Sequence, residues 1–535
     1  MKQISLIAWV AAVALGLSPG AQAHEDERIP TGAPDKLGEV MFPVSCSPAA
    51  QEQFNRGLAM LHSFFYPEAA KTFSRVSELD PSCAMGYWGV AMSWWYPLWF
   101  PPTRESFQRG KAALEKAVAA AAPTERERAY IAALGEFYGD FEKADNKARS
   151  LAYEKAMAAV TRNFPDDLEA AAFYALALQA TANPNDKTYA NQLKSAAILE
   201  KIFAEHPDHP GIAHYLIHAY DYPELAPRAL KAARLYGAIA PTMPHALHMP
   251  SHTYIALGLW QDSIESNLAA GAAARKLGWV PEELHSEDYL VYAYLQLGQS
   301  ASASDVLRQI SEVRAEESAR TLPVDYAVAA APARYVLEQQ RWEEAAALKP
   351  FASRFPATEA LTHFARAIGA AHLGARREAE TEIAQITRIR DALVQSKQDY
   401  WAKQVEVQRL SAQAWLAWAA GDAAQAIEQM RSATALEEST YKHPITPGQL
   451  LPARELTGDL LLALGQPEAA LAEYEASLRA NPNRFNGIFG AARSAELAGL
   501  GSKAADYYRK LLELAQTAES ERKEIRQAKL FLSNK

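Results

Sequence analysis

Along most of the chain, apolar residues come in short groups broken every few positions by Glu, Lys, Arg or Asp. That rhythm suits amphipathic helices burying one face, and it leaves no stretch of the roughly 20 apolar residues that a bilayer span needs. Composition agrees, because Ala, Leu, Glu and Arg dominate and β-branched runs are scarce. The start of the chain is the exception. Lys2 precedes an uncharged apolar run from Ile4 to Leu17, and Ala21-Gln22-Ala23 follows. This is the pattern of a secretory signal peptide over residues 1–23, cleaved before His24. An uncleaved anchor is the other reading of the same run. The expected product is soluble, periplasmic or secreted, with no integral membrane segment in the mature chain. Residues 24–48, rich in Pro, Gly and charge, read as an extended N-terminal arm.

The helices recur in pairs. Gly458, Ala470 and Tyr474 are followed 34 positions later by Ala492, Ala504 and Tyr508. Pro482, in Asn481-Pro482-Asn483, punctuates the turn between the two units. Near the other end, Gly57, Ala69, Phe73, Val76 and Pro81 repeat the same order of small, aromatic and turn residues. Small residues sit where two helices cross, and an aromatic fills the gap beside them. The spacing and these residues resemble the tetratricopeptide repeat family. The resemblance implies an all-α fold, a right-handed superhelical solenoid of tetratricopeptide-like hairpins over residues 49–535. It is clearest at 50–83, 210–277 and 451–518. Ala345, Ala379 and Ala426 mark further second helices, giving about a dozen hairpins. Loops at 183–185, 241–244 and 443–452 break the strict period. A closed bundle or toroid of helical pairs is the alternative architecture.

Histidine is unevenly spread: seven of the 13 lie between His206 and His252. His214 and His218 are four apart, as are His248 and His252, and the two pairs are 34 residues apart. Side chains four apart share a helix face. In the repeat family the corresponding positions line the concave groove, so the resemblance implies four imidazoles converging from neighbouring first helices. Asp221, His245 and His285 fall close enough in register to join or orient them. Imidazoles with a carboxylate suit a divalent transition ion such as zinc, copper or iron. Pro250, between His248 and His252, threatens the shared face by kinking the helix. A metal site, a site for an organic or peptide ligand, and purely structural histidines are the three readings of this pattern.

By the same register His62, Trp88, Met92 and Tyr96 are candidates for an N-terminal ligand groove, with an aromatic core as the alternative. The groove's expected occupant is a protein, peptide or small molecule. Net charge is −9 before any cleavage, and no basic stripe is present, which argues against nucleic-acid binding. The only cysteines, Cys46 and Cys83, precede neighbouring first helices; with export, a disulfide between them is the expectation and two separate buried thiols the alternative. No P-loop, H-E-x-x-H or Cys-x-x-Cys occurs, and the one G-x-S-x-G, Gly16 to Gly20, falls inside the expected signal peptide, so any enzymatic role would have to use the histidines. A binding protein or scaffold is the first reading. A metal-dependent enzyme and a metal-free adaptor are the others.

Overall fold

Short polar side chains set where the early helices begin. Ser47, Thr103, Thr124, Asp145 and Asp167 each accept a bond from the backbone N–H three residues on. They open helices Pro48–His62, Arg104–Ala119, Glu125–Phe137, Asn146–Asn163 and Leu168–Ala180. Each cap satisfies an amide that the helix itself leaves without a partner. The computed structural model describes residues 36–98, 101–139, 141–313, 320–520 and 522–534. The expected signal peptide and the start of the arm lie outside these residues. Among the described residues there are twenty-six helices and no strand. No described helix is long and apolar enough to cross a membrane.

Consecutive helices pack as antiparallel pairs, and the pairs stack into the expected all-α solenoid. The packing rule is visible at both ends. Phe73 lies so close to two first helices that a Cβ on Gly57 would stand 3.0 Å from its ring, and one on Gly89 2.2 Å. Tyr474 does the same between Gly458 and Gly490, at 2.8 and 2.3 Å. One aromatic per second helix therefore keys two successive first helices together.

The solenoid coils back on itself. The Pro48–His62 helix meets the Pro210–Ala219 helix, where the His62 Nδ1 lies 2.9 Å from the Tyr215 hydroxyl. Further on, Trp260 donates to the carbonyl of Asn483 at 2.7 Å. Gly258, at φ 66°, approaches Pro482 so closely that a Cβ would stand 2.3 Å from its carbonyl oxygen. The loop after helix Ala423–Glu438 crosses the inner face. Arg334 holds the carbonyls of Gly448 and Gln449, and Tyr289 lies against those of Pro444 and Thr446. The inner face is thus filled along this stretch.

The described part of the arm is extended and docked. The amide of Glu39 donates to the Asp208 carbonyl at 3.2 Å, and Phe42 is fully buried against Phe54, Trp88 and Tyr130. Cys46 and Cys83 form a disulfide that ties the arm to the second hairpin.

Candidate metal centre

Six histidines come from three successive first helices. Pro210–Ala219 carries His214 and His218, while Val280–Gln296 carries His285. Between them runs a helix in two pieces, Pro244–His248 and Pro250–Leu257, with His245, His248 and His252. Pro250 does split this helix. Met249 nevertheless keeps right-handed helical angles, φ −53° and ψ −35°, so the direction of the chain is preserved. His248 and His252 still meet, Nε2 to Nε2 at 3.1 Å. The kink expected to separate them costs a backbone hydrogen bond and leaves the shared face intact.

The rings divide differently from the expected group of four. His214, His218 and His245 form one triad, and His248, His252 and His285 a second; within each, the candidate ligand atoms lie within 4.8 Å of one another. In both, an HxxxH pair is completed by one ring from the next first helix. The triads are neighbours, with the His245 and His248 ring centroids 6.4 Å apart. Asp221, expected among the ligands, stands outside them. Its Oδ2 accepts from His252 Nδ1 at 2.9 Å and lies 3.4 Å from Lys442 Nζ.

Outer partners hold the Nδ1 side of four of the rings. The Nδ1 of His214 donates to the His62 carbonyl at 2.7 Å. That of His248 donates to Asn267 Oδ1 at 2.7 Å, and the Asn267 amide is itself oriented by the Ser263 carbonyl. Glu282 takes Nδ1 of His245 at 3.2 Å. In each of these rings, as in His252, Nε2 is the nitrogen turned to the cluster. Ligating histidines show this arrangement, with the remote N–H held by a carbonyl or carboxylate. Burial, reinforced by neighbouring imidazoles, pushes His214, His218, His252 and His285 well below the usual histidine range, and burial takes His248 down to about 4. Those five rings are therefore neutral at neutral pH. His248 and His252 thus face each other through Nε2, with Nδ1 of each held from outside by Asn267 and Asp221. The Tyr289 hydroxyl stands 3.3 Å from His252 Nε2, but its one proton also has the nearer carbonyls of Pro444 and Thr446, at 3.0 and 3.2 Å.

A third cluster shows the contrast. Glu169 lies between His62 and His209, 2.9 Å from Nε2 of each. His62 Nδ1 accepts from Tyr215, and His209 Nδ1 accepts from the amide of Ile212. Every proton here has one donor and one acceptor. Burial opposes the charge of Glu169, yet the two histidines hold its carboxyl well below the usual carboxylate range. This cluster is complete as a hydrogen-bond network.

The N-terminal ligand groove does not form as expected. His62, Trp88 and Met92 are fully buried, and Tyr96 is half-buried beside Tyr66. They belong to the aromatic core, because the returning Pro210–Ala219 helix and the docked arm cover that face. Asn267 and Glu282 were missed in the sequence. Glu282 had a signal, three residues before His285 on one helix. Asn267 had only its polarity in an alanine-rich helix.

No protein-family model and no curated protein sequence matches the chain. Among solved structures, it is similar to the Naa15/Naa10 complex bound to HypK-THB, with 12% identity and a TM-score of 0.25 over 90% of this chain and 72% of that one. It is also similar to the human IFIT1 dimer with PPP-AAAA, at 14% identity and TM-score 0.34, covering 88% of this chain and 96% of that one. The IFIT1 dimer with m7Gppp-AAAA gives 12% identity, TM-score 0.32 and the same coverages, 88% and 96%. Scores this low carry no inference about ligand or partner, and the description of the fold rests on the hairpins themselves.

Proposed function

We propose that this is an exported helical-repeat protein whose interior holds a transition-metal centre in the histidines of residues 214–285. The observation that carries the reading is the approach of His248 and His252. Their Nε2 atoms stand 3.1 Å apart in a buried site, near the spacing of two nitrogens bound to one ion, with His285 beside them. Six imidazoles without a carboxylate or thiolate among them suit zinc, copper, iron or nickel and do not suit calcium or magnesium. Export is supported by the signal-like start and by the Cys46–Cys83 disulfide, which fits an oxidising compartment. The solenoid's outer surface and its helix ends remain the scaffold through which such a protein would meet a partner.

Metal analysis tests this directly. Mature protein produced by export, loaded with zinc, copper or iron and then dialysed, is expected to retain metal. The double variant His214→Ala, His248→Ala is expected to lose it while keeping its helical circular dichroism. Wild-type protein that retains none of the three metals would sink the proposal.

A further inference from the structure

We infer that the two triads form a two-ion centre, one transition ion in His214, His218 and His245 and a second in His248, His252 and His285, joined by a small bridging anion such as hydroxide. This rests on the metal reading above and adds stoichiometry, partition and a ligand class.

Repetition is the first ground. The same construction occurs twice, an HxxxH pair closed by a ring from the following first helix, with the pairs 34 residues apart. A single four-histidine site would use both pairs and leave His245 and His285 idle. Instead each has a place, and Glu282 holds His245 from behind.

Coordination number is the second. Nitrogens bound to one ion at about 2.0–2.1 Å lie roughly 3–3.5 Å apart in a tetrahedral set, and three protein ligands leave a fourth position open. The pairs already stand near that spacing, at 2.9 Å for His214 with His218 and 3.1 Å for His248 with His252. Paired ions in proteins sit about 3.5–4 Å apart. The triads lie side by side, joined through His245 and His248 on one turn of helix. Their open positions therefore fall in a shared space.

Charge is the third. Two dications bring four positive charges into a buried volume, and the carboxylates of Asp221 and Glu282 offset two of them. Lys442 beside Asp221 adds positive charge. An anion between the ions lowers the remaining excess, and burial makes that contribution large. Size is limited by the cover. Phe64 lies over His214, His218 and His245 with centroids 4.4, 5.6 and 6.0 Å away. Tyr289 lies over His248, His252 and His285 at 4.6, 5.3 and 5.1 Å. With these rings over both triads, a bridging group would have to be as small as hydroxide.

The test is copper(II) loading of the full mature chain, with copper counted by elemental analysis and spins by electron paramagnetic resonance. Wild type is expected to hold two coppers per chain with far fewer than two spins, because a bridged pair couples. His214→Ala with His218→Ala, and separately His248→Ala with His252→Ala, are each expected to hold one copper with one full spin. One copper in wild type overturns the inference and leaves the metal-binding proposal standing. Two coppers with two full spins overturn the bridge. No copper, and no zinc or iron in parallel loadings, removes the metal-binding proposal itself. The wild-type counts decide the matter even where a variant fails to fold.

Discussion

A glycine facing an aromatic ring is the smallest unit on which the solenoid depends. Phe73 and Tyr474 each press onto two glycines of neighbouring first helices, and at Gly89 and Gly490 an added Cβ would sit 2.2 and 2.3 Å from the ring. Neither ring can retreat, since both are fully buried. Gly89→Ala and Gly490→Ala are each expected to destabilise the protein by about 1–3 kcal/mol, the usual cost of overpacking. Thermal melts should show this as a lowered midpoint; unchanged midpoints would mean that the hairpins slide apart without cost. The histidines obey the same logic of committed neighbours. Their Nδ1 protons are taken by His62, Asn267, Asp221 and Glu282, and what each ring offers inward follows from that.

At the scale of elements, the C-terminal hairpins bury carboxyl groups that the aqueous chain would ionise. Burial raises Asp459, on helix Ala453–Ala463, to about 7, and raises Glu437, on helix Ala423–Glu438, to about 8. The folded chain therefore keeps these protons at pH values where the unfolded chain, near 3.8 and 4.5, has released them. Their contribution to stability is full below about pH 4 and is lost as pH rises towards 8. Other groups titrate over this range, so the difference between variants is the measurement. Asp459→Asn is expected to remove part of the loss between pH 5 and pH 8, on the order of 2–4 kcal/mol. If the variant's melting temperature changed with pH as wild type does, Asp459 would not be held protonated. The pairing of helices was legible, because recurring small and aromatic residues are local signals. The split of one helix at Pro250 was legible as well. Its harmlessness was not, since that depends on the dihedral angles of Met249.

Over the whole molecule, contacts between residues far apart in sequence close the superhelix. Arg484 is the firmest of them. Fully buried, it bonds Glu338 at 2.7 Å, Glu455 at 2.9 Å and the Tyr292 hydroxyl at 2.7 Å. Arg484→Met keeps much of the volume but leaves two buried carboxylates without their cation. A loss of about 3–5 kcal/mol is expected from chemical denaturation, as for other broken buried pairs. A loss below about 1 kcal/mol would show that water enters and solvates the carboxylates instead.

The repeating sequence by itself determined the helical hairpins, the keyed glycines and aromatics, and the histidine pairs one repeat apart, because each follows from a period of three to four or of 34 residues. The expected bond between Cys46 and Cys83 rested on export and repeat register, and the structure shows it because the fold brings the two together. Only the tertiary structure decided how six imidazoles divide, which polar groups stand behind them, and that the N-terminal groove is filled. Those depend on superhelical curvature, which sums small rotations at every interface. It brings His62 to Tyr215 and Gly258 to Pro482 across separations that no local pattern encodes.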